Sequence, residues 1–126
     1  MDDFPEFMKT SANSISASSQ SKGVEGWVYD GIDGQQMAYW KCTVDGTSNL
    51  HVHDFDEYFA VVQGVYTLII KSKRIPVRAG EEYFIPKGIP HAGEFLAGTR
   101  TIHCFGGKRA TRTEPVTPGA HRDSDV

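Results

Sequence analysis

Two histidines near the middle of the chain are spaced so that both can bind one metal ion. His51 and His53 are separated by a single residue, and in a β-strand this spacing puts both imidazoles on the same face, about 6–7 Å apart along the chain. Glu57 follows four residues later and offers a carboxylate oxygen that offsets part of a cation's charge. Histidine pairs of this kind also occur as surface or hydrogen-bonded side chains, so the pair by itself leaves both a metal site and a structural role open.

A third imidazole is available much further along the chain. His91 follows a proline-containing corner at residues 86–90, which is stiff enough to bring the ring to the histidine pair from another strand. Three nitrogen donors and one carboxylate suit a borderline divalent transition metal, with manganese, iron, nickel and zinc as candidates, whereas calcium and magnesium prefer oxygen ligands. Four protein ligands on an octahedral ion leave two positions for water, dioxygen or substrate. We therefore predict a site for one such ion, formed by His51, His53, Glu57 and His91.

His103 is a further candidate for chemistry at the same place. It lies on a predicted strand at residues 100–105, where it faces either the cavity, as a proton shuttle, or solvent. Together with Glu57 it is a candidate catalytic residue, and the sequence leaves this assignment open. His121, near the C-terminus, is expected to face solvent. Four further carboxylates are assigned to turns and surface charge, namely Asp54, Asp56, Glu81 and Glu82.

The elements that must position these side chains are short strands. Runs of β-branched and aromatic residues alternate with turn formers, which include 13 glycines and 6 prolines, and no segment of ten or more residues has helical periodicity. Asp-Gly pairs at residues 30–31, 33–34 and 45–46 predict tight turns. Strands without covering helices must close on themselves or pack as two sheets, so we predict an all-β antiparallel barrel or jelly roll. The predicted strands are residues 26–30, 37–44, 58–62, 65–70, 75–77, 83–85 and 100–105.

The spacing of glycines, histidines and one proline resembles the two conserved motifs of the cupin superfamily. The matching residues are Gly46, His51, His53, Glu57 and Gly64, followed by Gly80, Pro86, Gly88 and His91. Two departures are visible: residues 46 and 51 enclose four residues where the family has five, and Phe95 stands where the second motif ends in asparagine. The resemblance covers roughly residues 26–106 and is similar in spacing to small single-domain cupins. It implies a metal-binding cupin barrel in which the four residues predicted above are the ligands.

The chain suits a single domain with loosely organised ends. Its 126 residues are enough for one hydrophobic core. Residues 1–22, rich in serine, are predicted to be a flexible segment or a dimer arm, residues 23–107 the barrel, and residues 108–126 a disordered tail. Phe4, Phe7 and Met8 could dock on a partner subunit or on the barrel wall, or belong to a loose tail.

Composition excludes some partners and indicates a compartment. The formal net charge of -3 gives no positive field for nucleic acid or an anionic membrane, and the longest apolar stretch is too short to span a bilayer. Without a recognisable signal sequence we expect a cytoplasmic protein. Cys42 and Cys104 are then expected to be reduced thiols within the core.

These observations support two main functions of different kinds. The first is a metalloenzyme with dioxygenase-, isomerase- or lyase-like chemistry on a small organic molecule in the barrel; whether the protein is an enzyme stays open. The second is a non-catalytic, metal-dependent module that binds or senses a small ligand, and a storage role is a third. Phe95 favours an apolar or aromatic ligand. By resemblance to other cupins, we expect a homodimer with residues 4–30 at the interface.

Overall fold

The chain folds into two antiparallel β-sheets. A computed structural model describes residues 3–16 and 21–113. Two short 3-10 helices, Glu6–Met8 and Ser11–Asn13, precede the strands. Within the described residues the strands are β1 (Val24–Asp30), β2 (Gln36–Cys42), β3 (Gly46–Thr47), β4 (Glu57–Gln63), β5 (Val65–Ile70), β6 (Lys73–Arg78), β7 (Glu82–Ile85), β8 (Ala92–Phe95) and β9 (Arg100–Phe105).

The strand order is that of a jelly roll. One sheet has the order β1-β2-β9-β4-β7 and the other β3-β8-β5-β6, and all neighbouring strands are antiparallel. The prediction of an all-β antiparallel fold is therefore confirmed. The seven predicted strands correspond to β1, β2, β4 to β7 and β9, with ends displaced by up to two residues. The described part of the chain holds no helix that is both long and apolar enough to cross a membrane.

An apolar core joins the two sheets inside the barrel. Strand β4 shows the alternation that builds it, because Glu57, Phe59 and Val61 are buried whereas Tyr58 and Val62 are exposed. Removing the apolar side chains, such as those of Phe59 and Val61, from water is the main force that holds the sheets together. The fully or nearly fully buried members of this core are Phe59, Val61, Leu68, Val77 and Ile85.

Gly64 and Gly46 each occupy a position that has no room for a side chain, for different reasons. Gly64, between β4 and β5, has a φ of 82°, which glycine adopts without strain, and a Cβ there would lie 2.5 Å from Thr99 Oγ1. Gly46 was predicted to form a tight turn with Asp45, and this is wrong. Gly46 instead begins β3 opposite Phe95, where a Cβ would lie 2.8 Å from that ring.

The N-terminal segment packs on the outside of the five-stranded sheet. The ring of Phe4 is buried 5.3 Å from that of Tyr39, and the guanidinium of Arg100 lies 4.8 Å from the centre of the Phe4 ring. Of the predicted alternatives for Phe4, the structure therefore places it on the barrel wall of its own chain. Phe7 is exposed. Residues 17–20 of the serine-rich segment lie outside the described residues.

Residues 108–113, predicted as the start of a disordered tail, lie against the barrel. Ala110 is buried among core residues, and Arg112 forms a β-bridge with Ile15. Polar contacts at both ends of this stretch hold it against the barrel, although its charged composition is typical of a solvated chain end. The remainder of the predicted tail, residues 114–126 with His121, lies outside the described residues.

The two cysteines lie on opposite faces of the five-stranded sheet. Both are unpaired, Cys42 buried and Cys104 exposed. Burial raises the pKa of the Cys42 thiol to about 12. The prediction that Cys104 belongs to the core is wrong, because Thr101, His103 and Phe105 point inward on β9 and the residue between the last two must point outward.

Candidate metal centre

The structure brings the three predicted histidines together at one end of the barrel. One ligating atom from each of His51, His53 and His91 lies within 4.8 Å of the other two. The convergence comes from the backbone: His51 N donates to His91 O and His91 N donates to His51 O, each over 2.9 Å. This isolated β-bridge brings together two residues that are far apart in the sequence.

Backbone carbonyls fix the orientation of two of the rings. Nδ1 of His51 lies 2.6 Å from the carbonyl oxygen of Asn49, and Nδ1 of His91 lies 2.9 Å from that of Ile89. A ring nitrogen that faces a carbonyl must donate its proton, so in the neutral imidazole Nε2 keeps a lone pair. Ligands of metals are commonly oriented by such contacts.

Glu57 adds an ionised carboxylate beside the histidines. Its Oε1 lies 3.3 Å from Nε2 of His91 and 3.4 Å from Nε2 of His53, and its Oε2 accepts a hydrogen bond of 2.7 Å from Nδ1 of His103. Burial alone would raise the pKa of Glu57, but the hydrogen bond from His103 and the nearby imidazoles outweigh burial and hold the pKa well below its usual range. The carboxylate therefore carries its negative charge at neutral pH.

The environment has opposite effects on two of the histidines. Burial lowers the pKa of His51 to about 4, so this ring is neutral at pH 7. Burial also acts to lower the pKa of His91, but contact with Glu57 and the carbonyl of Ile89 raises it overall. A neutral imidazole is the form that binds a metal.

Three atoms at this point are suited to a cation. Within the described residues, Nε2 of His53, Nε2 of His91 and Oε1 of Glu57 are buried without a hydrogen-bond partner. Buried polar atoms are nearly always satisfied, because leaving them unpaired costs free energy. The side chains present therefore fit a divalent transition metal, and together with His51 they can bind one.

His103 points into the barrel, which was one of the two orientations left open by the sequence. It is buried, and its Nε2 lies 3.0 Å from Oγ1 of Thr101. Its ring is stacked between those of Phe59 and Phe105, with centroid distances of 4.9 and 5.7 Å. Thr101, His103 and Glu57 thus form a hydrogen-bonded chain that ends beside the three histidines.

Two spaces have His51 in their walls. An outer cleft of about 510 Å³ is open to solvent and lined by His51 and His53, and an inner pocket of about 70 Å³ is lined by Glu57 and His103. Trp40, Tyr66 and Phe95 are among the aromatic residues that line the inner pocket. Tyr58 and Phe84 are instead exposed, and Tyr39 is covered by Phe4.

Two residues of the site were missed in the sequence. Phe105 lines the inner pocket, and its position two residues after His103 on the same strand is the signal that could have found it. Arg109 lines both spaces. In the sequence its basic cluster with Lys108 and Arg112 is only a weak signal for a phosphate site, because a charged stretch near a chain end is usually solvated.

A β-barrel with inward-pointing imidazoles and a carboxylate at one end defines a class of metal-binding domain. A family model described as "Cupin domain" matches residues 39–110. The chain belongs to the cupin family, and the resemblance in its motifs is confirmed. No curated protein sequence matches the chain significantly.

Solved structures share the fold at low sequence identity. An RmlC-like cupin from Shewanella frigidimarina has a TM-score of 0.67 at 15% identity over 78% of this chain and 86% of its own. KdgF from Halomonas sp. has a TM-score of 0.64 at 16% identity, over 75% of this chain and 93% of its own. The polyketide cyclase RemF from Streptomyces resistomycificus has a TM-score of 0.61 at 21% identity, over 75% of this chain and 73% of its own.

Proposed function

We propose that this protein is a metal-dependent enzyme that acts on a small organic molecule bound in the barrel. The observation that carries the proposal is the convergence of three buried atoms that have no hydrogen-bond partner among the described residues, on His53, Glu57 and His91. A divalent transition metal held there supplies Lewis-acid or oxygen chemistry. The polyketide cyclase RemF is an enzyme with this fold, and we extend that possibility to this chain as part of the proposal.

The remaining groups have distinct tasks in this proposal. Glu57 directs Oε1 to the metal and Oε2 to His103, whose Nδ1 holds the shared proton. The hydroxyl of Thr101 donates to Nε2 of His103, which sets the tautomer. His103 lines the inner pocket, but both of its ring nitrogens are hydrogen-bonded, to Glu57 and to Thr101, so its task in this proposal is to orient the carboxylate.

The two spaces suggest how a substrate lies. The outer cleft, at about 510 Å³, is within the range of roughly 300–1,000 Å³ that is usual for small-molecule sites. The inner pocket, at about 70 Å³, has room for only a few atoms. We therefore place the body of the substrate in the cleft and its reacting end beside His51, where aromatic walls exclude water.

Elemental analysis of the protein, expressed without added metal and never exposed to chelator, tests the metal site. We expect about one manganese, iron, nickel or zinc ion per chain. His91→Ala should remove it, whereas His121→Ala, which changes the histidine outside the described residues, should retain it. Equal metal contents in the two variants would refute the assignment.

Turnover separates an enzyme from a sensing module. Oxygen uptake and product analysis by mass spectrometry, with a panel of small carbonyl and carboxylate compounds, should identify a substrate for the metal-loaded protein. His51→Ala should then abolish turnover while part of the substrate binding remains. A ligand that raises the melting temperature only of the metal-loaded protein, and is never converted, would favour the non-catalytic alternative. Full turnover by metal-free protein would refute both.

We also propose a homodimer with residues 4–30 at its interface. Ile15 N donates to Gly26 O along the outer edge of β1, and the N-terminal segment of a second copy could make the same contact. Light scattering should give the mass of two chains, and a monomeric mass would refute the proposal.

A cytoplasmic location is proposed from the two unpaired cysteines, because free thiols persist in a reducing compartment. Alkylation of the protein immediately after acid lysis of cells should modify both Cys42 and Cys104 without prior reduction. A disulfide found under these conditions would contradict this location.

A further inference from the structure

Arg109 brings a positive charge to the entrance of the candidate metal centre. Its side chain lines both the outer cleft, with His51 and His53, and the inner pocket, with Glu57. It is close enough to act electrostatically on His51 and on His91. Arg109 therefore borders both spaces next to the candidate metal centre.

The backbone around Arg109 is fixed to the barrel by a buried amide. Oε1 of Gln36 accepts hydrogen bonds from Arg109 N (2.7 Å) and Ala110 N (2.9 Å), and Nε2 of Gln36 donates to Ala110 O (3.1 Å). Gln36 is 3% exposed, so these bonds are sheltered from water. Nε2 also donates to Asp30 Oδ1 (2.8 Å), which holds the amide in this orientation.

A second set of contacts holds the chain at Arg112, three residues after Arg109. Arg112 donates from Nη2 to Val28 O (3.1 Å) and pairs through Nη1 with the carboxylate of Asp30. Backbone bonds connect Thr111 and Thr113 to the N-terminal segment: Ser16 N donates to Thr111 O, and Thr113 N to Ser14 O. The stretch that carries Arg109 is therefore held on both sides.

The charge balance at the cleft favours an anion. Lys108 and Arg109 line the outer cleft together with one carboxylate, that of Asp54. A divalent ion bound by Glu57 and three neutral imidazoles would add one net positive charge. Arginine is suited to carboxylate and phosphate groups because its planar fork can donate two parallel hydrogen bonds.

We propose that Arg109 determines specificity by binding the anionic group of a small organic substrate while the reacting end lies at the metal. This inference rests on the proposed function and narrows it to organic anions, whether carboxylates or phosphates. Gln36 acts as a positioning residue, because it holds the backbone of Arg109 at the cleft.

Calorimetric titration of zinc-loaded protein tests the proposal with three probes of similar shape: benzoate, phenyl phosphate and the neutral benzamide. The variants are Arg109→Gln, Arg109→Lys and the matched control Arg78→Gln, whose arginine is exposed on β6. The zinc content and melting temperature of each variant are measured first. The comparison is then made between folded, metal-loaded proteins.

We expect at least one of the two anions to bind the wild type more tightly than benzamide. Arg109→Gln should weaken binding of that anion about 10–100-fold, in keeping with the loss of a hydrogen bond to a charged group. Arg109→Lys should weaken it less, and Arg78→Gln should leave it unchanged. The anion that responds identifies the chemical class of the substrate.

Two results would overturn the inference. One is a wild type that binds neither anion more tightly than benzamide, including a wild type that binds none of the probes. The other is anion binding that is equal in Arg109→Gln and wild type. Failure of the proposed function gives a separate result, because a wild-type protein that retains no zinc refutes the metal site before any probe is added.

Gln36→Leu tests the positioning role. Loss of the amide should lower the affinity for the responding anion but leave zinc content unchanged, whereas a merely structural defect would reduce both. Unchanged anion affinity in a folded Gln36→Leu protein would refute this part of the proposal.

Discussion

Two regions of the barrel interior meet on strand β4 and differ in whether their buried atoms have the partners that they need. The apolar region around Leu68 contains buried side chains that need no hydrogen bonds. In the metal region, Glu57 and His91 are equally buried but present polar atoms that lack partners within the described residues. Strand β4 contributes to both, with Glu57 at one end and Val61 further along.

This difference indicates that stability and chemistry depend on separate groups of residues. The apolar region lowers the free energy of the folded state by burial. In the candidate metal centre, buried polar atoms without a hydrogen-bond partner within the described residues cost some of that stability. Substitutions in one region should therefore have small effects on the property that depends on the other.

The largest expected effect on folding comes from Leu68→Ala. Leu68 is completely buried, and its truncation should lower the free energy of unfolding of the metal-free protein by about 2–5 kcal/mol. Urea denaturation measures this, with Leu96→Ala as a control because Leu96 is exposed and should change stability by less than about 0.5 kcal/mol. The distinction between the regions predicts that the folded Leu68→Ala protein still binds one metal ion.

Glu57→Gln should have the reverse effect of Leu68→Ala, a large loss of metal affinity with little change in stability. The amide has nearly the same shape and its oxygen can still accept from His103, so stability without metal should change by less than about 1.5 kcal/mol. Metal affinity, measured by competition with a chelating dye, should fall by more than the roughly 10–100-fold typical of groups behind the ligands. The control is Glu25→Gln, because the side chain of Glu25 on β1 is exposed. Equal metal affinities in the two variants would contradict the role of Glu57.

His103→Phe addresses the contact between the two regions. Phenylalanine retains the stacking on Phe59 and Phe105 but cannot donate to Glu57. We expect metal affinity to fall about 10–100-fold, with the apolar region intact by near-ultraviolet circular dichroism. If affinity is unchanged, His103 does not orient the carboxylate.

The last prediction concerns the smallest effect, a difference in the labelling of the two cysteines that depends only on how deeply each thiol is buried. Iodoacetamide should modify the exposed Cys104 in native protein, whereas Cys42, buried and with a pKa raised to about 12, should react only after unfolding. Peptide mass spectrometry distinguishes the two. Equal reaction rates would show that the wall beside the inner pocket opens readily.

The sequence was informative where a local pattern determines the structure. Runs of β-branched and aromatic residues between turn formers predicted most strands, and the histidine pair together with His91 predicted that three imidazoles share one place. The β3 strand was missed because two residues carry no periodicity. The β8 strand was missed because Ala92, Gly93 and Glu94 have low β-propensity.

The remaining features depend on contacts between distant parts of the chain. Arg109 reaches the cleft because Gln36, more than 70 residues earlier, binds the backbone beside it, and no local pattern records such a pairing. Cys104 is different, since strand parity with His103 would have shown that it faces outward. The error arose because Cys104 was assigned to the core from the hydrophobicity of its neighbours and not from its own position on the strand.

Anomalous X-ray diffraction from crystals of the protein as purified tests the central claim most directly. We predict one metal peak at about 2.0–2.2 Å from a ring nitrogen of each of His51, His53 and His91 and from an oxygen of Glu57. A peak elsewhere, no peak, or an electron-density map in which Glu57 and His91 point away from the histidine pair would contradict the account.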